Sequence, residues 1–377
     1  MSVTSASPDR EPARGLIGML GRRTLVLAAV AFAGVLAIVG LKVSGASDVL
    51  IFVVAAVTLA GLAGLVGEGT DQLGGRFGPG ATGVLQSALG NLPELFISLF
   101  ALQAGLTVLV QTALVGSILG NSLLVLGLAF LAGGLKHGKQ VFTAAPVRNI
   151  AVIIVLAVAS LAIPTVSTAP GAPDQGHAVE ISIFVSVVLL IVFVASIPFS
   201  LRGGEGASAL GHGAESEGPV WPLRLSIGVL AAGGIGAAVV SDWFVEALRP
   251  AMATLGLSEA FVGLVVVAIA GNAVENVVGI QQALRNRTDL AISLIQNSSL
   301  QVAIALTPVL VLASLFISPV PMTLVLTPTL LVGVSLTAVL GAFVVFDGES
   351  TWLEGLMLLG LYLIIAASVW YGPPVQV

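Results

Sequence analysis

The chain is 377 residues long, 57% hydrophobic and only 9% charged, with a mean hydropathy of +1.09 and a formal net charge of −5. This balance excludes an ordinary soluble domain and describes a polytopic membrane protein, in which the placement of the few charges says more than their sum. No basic cluster follows a nucleic-acid backbone, no cysteine is present for a thiolate zinc or redox site, and no phosphate-loop pattern supports an ATP-driven pump, so the chain is read as a non-enzyme.

A membrane helix needs about 20 apolar residues. No Asp, Glu, Lys or Arg occurs between Glu94 and Lys136, between Asp289 and Asp347, or after Gly355, and each of the first two runs is long enough for two spans. The runs stay apolar on every face, which opposes the alternation of a membrane barrel. Breaking them at charges, Gly/Pro clusters and polar turns predicts helices near 24–41, 48–66, 80–103, 107–131, 149–164, 179–199, 224–241, 259–284, 289–314, 321–345 and 353–371. Arg10, Arg14, Arg22 and Arg23 precede the first run as in a signal peptide, but no small-residue cleavage signal precedes the second, so the first is read as a retained helix.

Arg10 to Arg23, Arg76, Lys136 with Lys139 and Arg148, Arg202 with Arg224, and Arg285 with Arg287 fall in alternate gaps, whereas Lys42 and Arg249 lie in the opposite ones. Basic residues collect on the cytoplasmic side. The amino terminus is therefore expected inside and the carboxyl terminus outside, in a multi-pass protein whose expected setting is a prokaryotic cell membrane. The glycine-rich stretch RGGEGASALGHGAESEGP, from Arg202, reads as a flexible cytoplasmic linker, with Glu205, His212, Glu215 and Glu217 as an alternative cation-sensing patch. The expected organisation is a tail and extra first helix over 1–46, a first five-helix repeat over 47–200, a linker over 201–223 and a second repeat over 224–377. Segment 242–258 is less apolar and is expected to lie partly along the membrane surface.

GNLPE at 90–94 and GNAVE at 271–275 carry the same Gly-Asn-x-x-Glu pattern 181 positions apart. The same offset matches Ser117 with Ser298 and Leu119 with Leu300, so the correspondence covers two successive helices. Five spans per half make the second half enter from the opposite side. The predicted fold is thus an all-α polytopic membrane protein of eleven transmembrane helices, one leading helix and two inverted-topology five-helix repeats, an arrangement that supports outward-open and inward-open states around a central site.

Glu94 and Glu275 lie deep in predicted spans with no Lys, Arg or His beside either. A carboxylate in hydrocarbon is costly unless paired, so both are expected to face the bundle interior and a cation. A hard divalent ion such as calcium suits carboxylates together with carbonyls, amides, hydroxyls and water. Gly90-Asn91 and Gly271-Asn272 mark places where a helix loosens and frees carbonyls, helped by Pro93 at the first. Without the ion the carboxylates would titrate as a coupled pair, so alternate occupation by a cation or by protons is a route to exchange; the residues do not themselves identify the proton as second substrate. Gln111, Ser117 and Asn121, and Gln296, Asn297, Ser298, Ser299 and Gln301, supply polar groups for the site walls or for interhelical packing. Glu68, Asp71 and Glu259 are candidate vestibule residues or solvated helix ends. His137, His177 and His212 are scattered in predicted loops, which opposes a histidine metal site. A gated cation channel with a carboxylate constriction and a membrane scaffold without transport are the competing readings.

GNLPELFISLFALQAGLTVLVQTALVGSILGNSLLVLG at 90–127 and GNAVENVVGIQQALRNRTDLAISLIQNSSLQVAIALTPVLV at 271–311 resemble the two signature repeats of the calcium/proton antiporters of the cation/calcium exchanger superfamily. One GNxxE is a weak sign; two, each followed 23 residues later by a serine in a polar helix, are a specific one. The resemblance implies a secondary active transporter that exchanges Ca2+ for H+ across a lipid bilayer by alternating access, without a cofactor; a sodium/calcium exchanger is the alternative. It implies that Glu94 and Glu275 are the calcium and proton carboxylates, that carbonyls near Gly90, Asn91, Gly271 and Asn272 complete the metal site, and that the helices bearing Ser117 and Ser298 form its other walls. It also implies that the first and sixth spans slide or rock against the core. Three positions depart from the family pattern: Asn276 where histidine is common, Leu92 where a small residue is common, and Asn297 in place of the usual glycine.

Overall fold

The computed structural model describes residues 20–74, 76, 89–202 and 221–370. Arg10 and Arg14, positions 80–88 of the third predicted span, linker positions 203–220 with Glu205, His212, Glu215 and Glu217, and positions 371–377 lie outside the described residues. The helices are α1 (Arg22–Ser44), α2 (Asp48–Gly74), α3 (Leu92–Gln103), α4 (Thr107–His137), α5 (Ala144–Ser167), α6 (Ala178–Arg202), α7 (Leu223–Leu255), α8 (Glu259–Gly271), α9 (Ala273–Leu284), α10 (Thr288–Ile317), α11 (Pro328–Val344) and α12 (Trp352–Trp370). Two short strands, β1 (Gln140–Val141) and β2 (Glu349–Ser350), pair antiparallel. The fold is all-α and polytopic, and the 181-residue offset reappears in it: α4 and α10 begin at Thr107 and Thr288, and each widens into a π-helical turn, at Gly120–Val125 and Val302–Leu306.

Among the described residues, eight helices are long and apolar enough to cross a membrane, or nine if the bent α8–α9 pair is one span, against the eleven predicted. The shortfall has local causes. α3 covers only 12 described residues, and α11 only 17, because the stretch after α10 contains Pro319 and Pro321 and stays non-helical until Pro328. Proline lacks the N–H a helix interior requires but fits its first turn. The interfacial reading of 242–258 is also corrected. α7 runs unbroken for 33 residues, because Phe244, Leu248, Ala251 and Met252 continue its buried stripe at three- and four-residue steps. At about 1.5 Å per residue it is much longer than the roughly 30 Å hydrocarbon core, so it must tilt or project.

The connections sort into two clusters at opposite ends of the bundle. In one, Lys136 Nζ donates to Leu284 O at 2.9 Å, Gln140 Nε2 donates to Ala283 O at 3.1 Å, and the Thr143 N–H donates to Asp289 Oδ1 at 2.6 Å. Lys139 pairs with Glu349 there. In the other, Lys42 pairs with Glu246, Arg249 donates to Ala104 O at 2.9 Å, and Ser258 Oγ donates to Val369 O at 2.9 Å. Lys42 and Arg249, the two basic residues that break the charge alternation, are thus both held in side-chain contacts on that face.

α2 packs along α7 more extensively than any other pair of elements, and α1 lies on α2. Gly69 meets Leu230, Gly233 meets Val66 and Gly64 meets Leu27 across these contacts, the small-residue approach usual between membrane helices. At the centre, α4 crosses α8 so closely that a Cβ on Gly116 would stand 2.6 Å from Leu264 Cα. Backbone cannot yield as a flexible side chain does. Gly116→Ala is therefore expected to destabilise the protein by about 1–3 kcal/mol, read as a lowered thermal midpoint in detergent, whereas Gly360→Ala, with nothing within 4 Å of the added carbon, leaves it unchanged. Equal midpoints would contradict this packing.

Candidate functional site

The two Gly-Asn-x-x-Glu motifs occupy equivalent helix breaks. Asn91 (φ −92°, ψ 17°) stands immediately before α3 and Asn272 (φ −106°, ψ 18°) immediately before α9, which places Glu94 and Glu275 in the first turns. α8 and α9 meet at 65°. A helix amino terminus carries unpaired N–H groups and a positive dipole end, which suits a carboxylate inside a membrane. The glycines serve close approach: a Cβ on Gly271 would lie 3.3 Å from Glu94 Cβ, so the second motif packs directly on the first. The Asn91 and Asn272 carbonyls each accept a helical N–H, from Leu95 at 2.9 Å and Asn276 at 3.0 Å, and retain a second lone pair.

A buried hydrogen-bond chain joins the motifs. Glu94 is 0% exposed, and its Oε1 accepts from Ser117 Oγ at 2.5 Å while Oε2 has no partner among the described residues. Asn272 Nδ2 donates to Ser117 Oγ at 3.0 Å and to Ala268 O at 3.0 Å, and its Oδ1 accepts from Ser298 Oγ at 3.3 Å. Asn121 Nδ2 donates to Ser298 Oγ at 3.0 Å. Asn91 Nδ2 instead faces Gln301 Oε1 at 3.5 Å. Glu275 is half-buried; it acts electrostatically on Glu94 and is itself acted on by Asp71 of α2. Among the described residues neither glutamate pairs with a basic side chain.

The other predicted residues are distributed unequally. Glu68 and Asp71 are partly exposed near the end of α2, and Asp71 is near enough to act electrostatically on Glu275. Gln296 and Asn297 are buried beside Ser298 in sequence, but Gln296 Oε1 and Asn297 Nδ2 have no partner among the described residues. Gln111 is not brought to the network: its Nε2 donates to Thr323 O at 2.6 Å, beside an apolar cavity lined by Leu114, Ile118, Met322 and Leu324. Glu259 begins α8, and its backbone O accepts from Thr112 Oγ1 at 3.5 Å. Being remote from the chain of bonds and partly exposed, Glu259→Gln is expected to change ion exchange by less than about fivefold, the weight of a partly solvated charge; a loss as deep as that of a central glutamate would place it in the site.

Ser122 and Ser98 escape the sequence reading. Ser122 Oγ lies 3.3 Å from Ser299 Oγ across α4 and α10, and Ser98 is buried with an unpartnered hydroxyl one helical turn beyond Glu94. Only the four-residue step from Glu94 could have flagged Ser98. Chemically, the arrangement offers two carboxylates, hydroxyls and amide oxygens in an interior without a counter-cation, a donor set for a hard divalent ion and for protons. No group of three or more His, Cys, Asp or Glu side chains suited to a metal occurs among the described residues.

The family model described as "Sodium/calcium exchanger protein" matches residues 47–202 and 225–371. The Ca(2+)/H(+) antiporter ChaA of Bacillus subtilis (strain 168) is 37% identical over 337 residues, covering 88% of this chain and 94% of its own. The structure of native YfkE superposes with a TM-score of 0.78 at 32% identity, over 91% of this chain and 99% of that one. The crystal structure of the H+/Ca2+ exchanger CAX, 14% identical with a TM-score of 0.71 over 93% of this chain and 92% of that one, shares the fold.

Proposed function

The chain belongs to the sodium/calcium exchanger protein family, and from that premise we propose that it is a secondary active antiporter exchanging Ca2+ for H+ by alternating access. The observation that carries this reading is the joining of Glu94 of the first motif to Asn272 of the second through Ser117, with Glu275 in the first turn of the helix that Asn272 precedes. The similarity to ChaA and to YfkE, the former a Ca(2+)/H(+) antiporter by name, supports the ion pair chosen. Glu94 and Glu275 bind the metal or protons in turn; Gly90, Asn91, Gly271, Asn272, Ser117 and Ser298 complete the oxygen set, and Asn121, Gln296, Asn297 and Gln301 wall it. Asp71, with Glu68 nearby, forms the vestibule on the side where Glu275 is half-buried.

Eleven crossings, one leading helix and two inverted repeats of five, are the finer architecture we propose, with α3 and α11 as the visible parts of two further spans. The repeats run over 47–200 and 224–377 on either side of the 201–223 linker. The charge pattern supports a cytoplasmic amino terminus and an external carboxyl terminus in a prokaryotic cell membrane. Uptake of calcium into reconstituted vesicles under an imposed proton gradient tests the coupling. Uptake driven by an opposing sodium gradient and indifferent to protons would make the protein a sodium/calcium exchanger, and channel-sized currents in bilayers would replace the carrier by a channel.

A further inference from the structure

The two halves of the site do not share their hydrogen bonds equally. Asn91 and Asn272 correspond under the 181-residue offset, as do Ser117 and Ser298, and Gly120 and Gln301. Asn272 takes both serines, Ser117 through Nδ2 at 3.0 Å and Ser298 through Oδ1 at 3.3 Å. Asn91, 8% exposed, has neither, and its Nδ2 faces Gln301 Oε1 at 3.5 Å. Inverted repeats let one fold present two states by rocking one half against the other, and we take the second state as the one in which the halves exchange these partners. In the exchanged state Asn91 takes the serines, and Asn272 moves to where Asn91 now stands, opposite position 120. That position is glycine, which offers no side-chain acceptor. The displaced asparagine therefore has a side-chain partner in only one of the two end states.

We propose that Gln301 is a positioning residue that biases the resting transporter toward the conformation in which Glu94 is wholly buried and Glu275 is only partly buried. This rests on the alternating-access reading above. Its consequence is an affinity difference between the two membrane faces, because the apparent affinity of a face falls with the fraction of molecules open to it. The bias is transferable in principle: Gly120 has a helical φ of −58°, and a Cβ there would have nothing within 4 Å, so the position accepts the first carbon of a mirror glutamine.

The chain contains no cysteine, so one introduced thiol is an unambiguous reporter. Glu68→Cys reports the Asp71 side and Glu259→Cys the opposite side, each labelled by a membrane-impermeant maleimide in calcium-free proteoliposomes. Gln301→Ala is expected to slow labelling at Glu68→Cys and speed it at Glu259→Cys by about threefold, the weight of one interhelical hydrogen bond. Gly120→Gln, which adds a contact and removes none, is expected to act in the same direction, and the double variant to exceed either. Should Gln301→Ala fail to fold, Gly120→Gln decides alone. Unchanged rates at both reporters, or changes of the same sign at both, overturn the proposal. Calcium/proton exchange by the cysteine-free natural protein is measured beside it: transport while labelling does not shift rejects the bias only, and indifference to a proton gradient rejects the antiport reading instead.

Discussion

Glu94→Gln and Glu275→Gln are each expected to cut calcium/proton exchange to about one part in a hundred of the parent rate or less, a loss of at least about 2.7 kcal/mol at roughly 1.36 kcal/mol per factor of ten. The size follows from the surroundings. Glu94 is wholly buried, and Glu275 is half-buried at the start of a helix inside the bundle, where the attraction between a carboxylate and a divalent ion is screened far less than in water. Glutamine preserves length and one carbonyl oxygen, so Ser117 can still donate to it and the helix break is kept. What disappears is the charge that holds calcium and the atom that accepts a proton. Transport by equal amounts of correctly inserted variants in proteoliposomes checks this, and near-parental exchange by either one would remove that residue from the central pair. Ser117→Ala and Ser298→Ala are expected to weaken apparent calcium affinity more than they slow turnover, because neither carries the exchanged charge.

The parts legible in the sequence are those set by spacing. The 181-residue offset foretold the paired helix breaks at Asn91 and Asn272, and the structure extends it to the starts of α4 and α10 and to their π-helical turns. Deep carboxylates without basic neighbours in sequence likewise pointed to an interior polar site, since hydropathy alone makes them costly anywhere else. Facing is what the sequence does not record. Gln111 and Asn121 both look like interior polar residues of α4, yet one bonds Thr323 O beside an apolar cavity and the other bonds Ser298. The length of α7 was also hidden, because Asp242, Glu246 and Arg249 lower the mean hydropathy of a segment whose opposite face is buried. The grouping of α1 and α2 with α7 was hidden as well. That grouping arises from glycine contacts between halves distant in sequence.

Asn272→Ala is expected to lower exchange by about an order of magnitude or more and to lower the thermal midpoint of the ion-free protein. Its amide is the one group bonded to both serines: Nδ2 serves Ser117 and Ala268 O, and Oδ1 serves Ser298. Truncation takes the acceptor from the Ser298 hydroxyl and one donor from Ser117 Oγ, while Ser117 keeps Glu94, Ser298 keeps Asn121 and Ala268 O keeps the Asn272 N–H. Interhelical hydrogen bonds in membranes are worth about 0.6 kcal/mol on average, but a buried polar group left unpaired costs about 1–3 kcal/mol, so losing the hub outweighs losing one average bond. Ser117, deprived of its donor, is also freed to turn away from Glu94, which carries the defect to the carboxylate itself. Asn91→Ala supplies the contrast. Its nitrogen has only the 3.5 Å approach to Gln301, so the ion-free midpoint should hardly move, although exchange falls once the cycle reaches the state in which Asn91 takes the serines. A midpoint lowered equally by both substitutions would mean that the two motifs are bonded alike at rest, and an unimpaired Asn272→Ala would mean that Glu94 is positioned without the chain that joins it to the second motif.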